Sequence, residues 1–89
     1  MSDLYDKIEY VLQLCLEEQK KEYSYAYLPG ICKTLERMKN IVENDQYDRA
    51  QREKTAGALG RLISDNYYFM VSELGTKLLN IADEFAPGK

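Results

Sequence analysis

The sequence of 89 residues contains no histidine and no tryptophan, and it has only two cysteines and two prolines. Without histidine the chain lacks an imidazole metal ligand and any side chain that ordinarily titrates near neutral pH. Catalysis by a serine–histidine or cysteine–histidine pair is therefore excluded within this chain. We expect no enzymatic activity, no cofactor and no metal site.

Long apolar runs are also missing. No run approaches the roughly 18 apolar residues that a membrane span needs, and the first residues lack the basic segment that opens a secretory signal. We therefore expect a cytoplasmic protein without membrane contact. Cys15 and Cys32 have no metal-ligand or redox-motif spacing, so we expect buried free thiols, with one disulfide as the alternative.

The bulk composition is that of a small folded domain. Hydrophobic residues make up 45% of the chain and charged residues 30%. The formal net charge of −3 is acidic and disfavours nonspecific binding of nucleic acid. The length predicts a single helical domain over residues 1–89, which buries about 60–65% of the surface that the unfolded chain exposes.

Hydrophobic spacing predicts a first helix that is capped by Ser2 and extends toward residue 27. Apolar side chains recur along one face with a period of 3.6 residues. They are Leu4, Ile8, Val11, Leu12, Cys15, Leu16, Tyr23, Ala26 and Tyr27. A short strand at residues 23–27 is the alternative, because that segment also alternates with period two. Pro29 and Gly30 predict a turn, since proline disfavours helical geometry at the preceding Leu28.

Two further helices are predicted in the middle of the chain. The second begins near Pro29, which a first turn tolerates, and ends around Asn44. Its apolar face comprises Ile31, Leu35, Met38, Ile41 and Val42. The third is capped by Asp45 and covers about residues 46–64, but a core stripe is present only near its end. That stripe consists of Ala58, Leu59, Leu62 and Ile63. We expect its early turns to face solvent or a partner.

The last predicted helix follows an aromatic connection. Residues 65–71 break the third helix and include an apolar run without helical phase. Ser72 is the expected N-cap of the fourth helix. Its core face comprises Leu74, Leu78, Ile81, Ala82 and Phe85. Four helices with short connections predict an all-α fold, a small antiparallel four-helix bundle.

Two patterns that superficially suggest a binding site have structural explanations. Gly57 and Gly60 follow Lys54 instead of preceding it, so the phosphate-loop pattern is not met. We expect these glycines to allow close packing of helices, with Gly75 as a third contact point. The acidic residues stand in adjacent pairs that diverge on a helix, or near helix N-termini, where carboxylates suit the helix dipole.

Aromatic residues are the most informative feature of the sequence. The chain has eight tyrosines, a residue that combines large contact area with a polar tip. Several apolar side chains lie off the core stripes or in the run at residues 67–71, which offers more apolar surface than one connection needs. The predicted protein-binding surface comprises Tyr10, Leu14, Tyr67, Tyr68 and Phe69. The sequence therefore predicts a noncatalytic interaction module that binds another protein or itself, as a possible homodimer. The alternative role for these residues is to plug the open end of the bundle.

A small nucleic-acid-binding regulator is the alternative function. Residues 31–61 contain seven basic and five acidic side chains, so this segment carries a net charge of +2. The candidate anion-binding or nucleic-acid-binding surface comprises Lys33, Arg37, Arg49, Arg52 and Arg61. A helix-turn-helix is disfavoured, because a connection of about seven residues exceeds the usual three or four and the last helix is acidic.

Overall fold

The computed structural model describes residues 3–21, 28–44 and 48–87. All regular secondary structure in these three ranges is helical, which confirms the all-α prediction. The helices are α1 (Asp3–Gln19), α2 (Leu28–Glu43), α3 (Arg49–Ser64), α4 (Tyr67–Met70) and α5 (Glu73–Phe85). None of the helices in the described ranges is long and apolar enough to cross a membrane.

The four longer helices surround one hydrophobic core. Helix α1 packs against α2, α2 against α3, α3 against α5, and α5 against α1, while α4 contacts α3 and α5. The largest fully buried side chains come from all five helices. They are Ile8, Cys15, Leu28, Ile31, Leu35, Met38, Leu59, Ile63, Phe69, Leu78 and Phe85. Burying such side chains is the main favourable term in folding, so this cluster fixes how the helices pack.

Individual residues mark the contacts between three of the four pairs of neighbouring long helices. Lys39 donates to Glu9 between α2 and α1, and Lys7 pairs with Glu84 between α1 and α5 at 2.9 Å. A Cβ atom added at Gly30 would touch Leu62 at 3.7 Å, so the start of α2 lies against the end of α3.

The predicted core face of α1 is confirmed over most of the described helix. Ile8, Val11, Leu12 and Cys15 are buried, and Leu4 packs against them. Leu16 was expected on the same face but is exposed, because it lies about 100° around the helix from Cys15. The helix ends at Gln19, and the rival interpretations of residues 23–27 lie outside the described residues.

Helix α2 begins one residue earlier than Pro29 predicts. The sequence analysis expected Leu28 to avoid helical geometry, whereas Leu28 is the first helical residue and is fully buried. A first-turn proline gives up no helical hydrogen bond, since the first N–H groups have no partner within the helix. Burial of the Leu28 side chain in the core offsets the local bias that proline imposes.

Most side chains in the early turns of helix α3 are exposed, as the sequence predicts, but Arg52 is partly buried and Thr55 is buried. Asp48 is its N-cap and accepts a hydrogen bond from the Gln51 backbone N–H at 3.1 Å. The predicted cap, Asp45, lies outside the described residues. Leu59 and Ile63 are buried near the end of the helix, whereas Ala58 is exposed rather than part of the core face.

The connection before the last helix contains a helical turn that the sequence analysis missed. Asn66 is the N-cap of α4, and its side-chain oxygen accepts from the Phe69 backbone N–H at 3.0 Å. Ser72 caps α5 as predicted and accepts from the Gly75 N–H at 3.1 Å. A four-residue helix is too short to show a 3.6-residue period, so its sequence read as an irregular connection.

The three glycines singled out in the sequence differ in their surroundings. A Cβ atom at Gly75 would lie within 3 Å of the carbonyl oxygens of Phe69 and Met70, so close approach of α5 to α4 is confirmed there. Within the described ranges, a Cβ atom at Gly57 or Gly60 would meet no heavy atom within 4 Å. The prediction that these two glycines permit close helix packing within the chain is therefore wrong.

Candidate functional site

The short helix α4 is held in place by its backbone and by one buried ring. The Ser72 hydroxyl donates to the Phe69 carbonyl oxygen, and Gly75 lets α5 pass directly beneath that carbonyl. Phe69 itself is only 1% exposed. These contacts fix the orientation of α4 and therefore the positions of the side chains on its outer side.

Three large side chains at α4 are turned away from the core. Tyr67 is 65% exposed, Tyr68 79% and Val71 55%. The two tyrosine rings contact each other edge to face, with their centroids 5.9 Å apart and an interplanar angle of 75°. We name Tyr67, Tyr68 and Val71 the α4 surface.

Phe69 does not belong to the candidate binding surface to which the sequence analysis assigned it. Its ring is in the core, because α4 packs against α3 and α5 and Phe69 is the residue of that turn that faces inward. Phe69 therefore performs the plugging role that was the alternative for the whole run. Tyr67 and Tyr68 are too exposed to share that role.

Tyr10 and Leu14 lie beside two adjoining grooves of α1. Leu14 is half-buried and, with Phe69 and Leu74, lines a groove of 420 Å³. Tyr10 is 59% exposed and lines a second groove of 370 Å³ with Val11 and Ile81. Lys77 lines both grooves, so they adjoin along α1 and α5.

The charged groups along these grooves are largely paired with each other. Lys21 bonds Glu18 at 2.8 Å and Lys77 bonds Glu73 at 3.2 Å, and these four side chains line the first groove. The hydrogen bond that Lys21 donates to Glu18 raises the pKa of Lys21 above its ordinary value. Exposed ion pairs of this kind contribute little net energy. Binding energy at these grooves would therefore come mainly from contact with their apolar side chains.

The five candidate cations are not all available to bind an anion. Lys33, Arg37 and Arg61 are exposed, whereas Arg49 pairs with Glu53 at 2.9 Å. Arg52 is partly buried and lies over the Phe85 ring. The guanidinium of Arg52, a member of the candidate basic surface, is part of the packing between α3 and α5.

The grooves and the α4 surface also involve residues outside the five that the sequence analysis assigned to the protein-binding surface. Leu74 was expected in the core stripe of the last helix but is only partly buried. Val71 is exposed beside Tyr67, and the spacing of four residues between them was the available sequence signal. No sequence signal placed Lys77 between two grooves.

Metal-ligating side chains are scattered over the described ranges, and no group of three or more Cys, Asp or Glu residues in them is placed to hold a metal ion. Comparison of the chain with protein-family models, curated proteins and solved structures found no match.

Proposed function

We propose that this protein is a noncatalytic helical module that binds a protein partner through the α4 surface. The partner is either another protein or a second copy of the chain. One observation carries the proposal: Tyr67, Tyr68 and Val71 are each more than half exposed although they flank a ring that is 1% exposed. Clustered exposed apolar side chains commonly mark an interaction site.

The chemistry of the α4 surface suits protein contact. A tyrosine ring buries a large area with only two rotatable bonds, and its hydroxyl can still find a polar partner. The edge-to-face contact between Tyr67 and Tyr68 restricts both rings before any partner arrives. Side chains ordered in advance lose less entropy on binding.

A rigid scaffold supports this role, and we propose that the four longer helices form an antiparallel bundle. The contacts between helices favour this arrangement. Glu9 in the first half of α1 contacts Lys39 in the second half of α2. Lys7, also in the first half of α1, contacts Glu84 near the C-terminal end of α5. Gly30 at the start of α2 lies near Leu62 at the end of α3. Each pair joins the beginning of one helix to the end of its neighbour.

The composition supports a role without catalysis. The chain has no histidine to act as a base near neutral pH. The ionisable side chains Lys21, Glu18, Lys77 and Glu73 along the first groove are engaged in ion pairs. Apolar contact, rather than proton transfer, is what this region offers a ligand.

The test compares association with stability in the double variant Tyr67→Ala/Tyr68→Ala. Because both rings are exposed, we expect the free energy of unfolding in urea to fall by less than about 1 kcal/mol, against roughly 3–5 kcal/mol for a buried aromatic. Light scattering over a concentration series measures self-association against the chain mass of 10.4 kDa. Leu16→Ala, an exposed apolar residue on α1, is the matched control.

The outcomes of this comparison are distinct. A wild-type dimer that the double variant disrupts, while the control does not, identifies a second copy as the partner. If the wild type is a monomer and the double variant is as stable as the wild type, the partner is to be sought among other proteins. Loss of stability as large as for a core ring would assign both tyrosines to the fold and overturn the proposal.

A basic surface on α2 and α3 supports the second candidate function, binding of nucleic acid. Lys33, Arg37 and Arg61 are exposed, and the contact between Gly30 and Leu62 brings the start of α2 near the end of α3. This function predicts an affinity for mixed DNA or RNA that falls steeply with salt. An absent or salt-insensitive shift in a binding assay would eliminate it.

A further inference from the structure

The two cysteines belong to the core where α1 packs against α2. Cys15 is fully buried and Cys32 is 7% exposed, and neither is in a disulfide. The Cys32 thiol donates to the side-chain oxygen of Gln19 at 3.2 Å. Gln19 is one helical turn beyond Cys15 on α1, so Cys32 sits beside the Cys15–Gln19 side of that helix. Gln19 therefore links the two buried cysteines, because it contacts Cys32 and follows Cys15 by one turn on the same side of α1.

We propose that Cys15 and Cys32 form an oxidisable dithiol that peroxide converts into an intrachain disulfide between α1 and α2. The reduced chain is the resting state. The cross-link joins positions 17 apart in the sequence, 15 and 32, and it restricts the unfolded chain. Oxidation would therefore make the pairing of α1 with α2 harder to undo.

The chemistry balances with hydrogen peroxide as the two-electron oxidant. Cys32 loses its thiol proton, its sulfur attacks one peroxide oxygen, and the O–O bond breaks. The departing hydroxide takes up the released proton and becomes water, which leaves Cys32 as a sulfenic acid. The Cys15 sulfur then attacks the Cys32 sulfur, the S–O bond breaks, and the oxygen leaves as a second water with the Cys15 proton.

The surroundings of the two thiols set the order and speed of these steps. Cys32 is the more exposed and is the first to react. Burial raises the pKa of Cys15 to about 12 and also raises the pKa of Cys32. Since the thiolate is the reactive form, both groups resist mild oxidation near neutral pH, and we expect the rate to rise with pH.

The test treats the full chain with millimolar hydrogen peroxide and measures its intact mass without reductant. We expect the loss of two hydrogens from a monomeric chain, reversed by dithiothreitol, and peptide mapping that joins Cys15 to Cys32. Thermal unfolding should shift upward by about 10 °C in the oxidised form. Oxidation at about pH 9 should be more than about tenfold faster than at about pH 7, because the thiolate fraction rises nearly tenfold per pH unit below the pKa of Cys32.

Single variants separate the two steps. Cys15→Ser should stop at a sulfenic acid on Cys32, trapped by dimedone as an adduct, whereas Cys32→Ser should resist oxidation. A wild-type chain that keeps both hydrogens, that gains oxygen without forming the cross-link, or that joins two copies through sulfur would overturn the proposal. The wild-type result decides the question even if a variant fails to fold.

Discussion

The guanidinium of Arg52 lies over the ring of Phe85, with its Cζ atom 4.8 Å from the ring centroid. The same side chain donates from Nη1 to the Phe85 carbonyl oxygen at 3.1 Å. Phe85 is fully buried and ends α5, so Arg52 covers a core ring and bonds a carbonyl at a helix C-terminus. A cation at that end also suits the helix dipole. This arginine fastens the first turn of α3 to the last turn of α5.

Replacing Arg52 should therefore destabilise the fold. We expect Arg52→Ala to lower the free energy of unfolding by about 1–2 kcal/mol, because the variant loses a hydrogen bond and exposes part of the Phe85 ring. Urea unfolding measures the change. Arg61→Ala, which removes an exposed cation from the same helix, should stay within about 0.5 kcal/mol. An equal effect of the two variants would refute this role of Arg52.

Two glycines should be replaceable with a gain in stability. Gly57 and Gly60 lie inside α3, and neither has a described heavy atom within 4 Å of an added Cβ atom. Alanine at either position should raise the free energy of unfolding by about 0.5–1 kcal/mol, because glycine loses more backbone entropy in a helix.

Gly75→Ala is the matched control for the glycine prediction. Its Cβ atom would collide with the backbone carbonyls of Phe69 and Met70, so we expect a clear loss of stability and displacement of α4. Chemical denaturation of the three single variants gives the comparison. A loss of stability on Gly57→Ala would contradict the open space beside Gly57 on α3.

The ion pair between Glu9 and Lys39 should make stability depend on pH. The hydrogen bond from Lys39 holds the pKa of Glu9 below its ordinary value of 4.5. Between the lowered folded-state pKa and the ordinary value of 4.5, the unfolded chain therefore binds more protons than the folded chain. The contribution of Glu9 is fully present above about pH 4.5 and is lost as the pH falls through the folded-state pKa.

The variant Glu9→Gln tests this dependence. We expect it to be less stable than the wild type near pH 7 and to approach the wild type as the pH falls through the folded-state pKa, where the wild-type carboxyl takes up its proton. Glu43→Gln, at an exposed position of α2, is the matched control variant. If the free energies of unfolding of Glu9→Gln and the wild type differ by the same amount at every pH, the pKa of Glu9 is not lowered in the folded chain.

The cap of α4 should control both the local helix and the α4 surface. Asn66→Ala removes the side-chain acceptor of the Phe69 N–H and should lower stability by about 1 kcal/mol. Amide hydrogen exchange at residues 69–71 should be faster in the variant than in the wild type. Asn80→Ala, at an exposed position within α5, is the control. Unchanged exchange at α4 would show that Asn66 is not needed for this turn.

Periodicity predicted the long helices well because their core faces dominate the local pattern. Ile8 to Cys15 and Leu78 to Phe85 recur at helical spacing, and both sets are buried. Phe69 lies in a segment of only four helical residues capped by Asn66, where tertiary packing rather than periodicity decides the structure. Short segments of this kind carry too few residues to reveal which side chain faces inward.

Only part of the candidate site could be predicted, because the short helix α4 does not reveal from its sequence which side chain faces inward. Composition pointed correctly to the exposure of Tyr67 and Tyr68, but it could not separate them from the adjacent Phe69. The position of Phe69 depends on Gly75, because only a residue without a Cβ atom lets α5 approach the α4 carbonyls. Contacts between residues distant along the helices, such as Arg52 with Phe85, likewise leave no local signal in the sequence.

The most direct test of the proposed function places a photoreactive benzoylphenylalanine at Tyr68 in cells that make the protein at its natural level. We expect a light-dependent covalent adduct that contains either two copies of the chain or the chain and one other protein, and Tyr67→Ala should weaken it. The same amino acid at exposed Lys54 on α3 is the control. An adduct yield at position 68 no greater than at position 54 would contradict the assignment of α4 as a protein-binding surface.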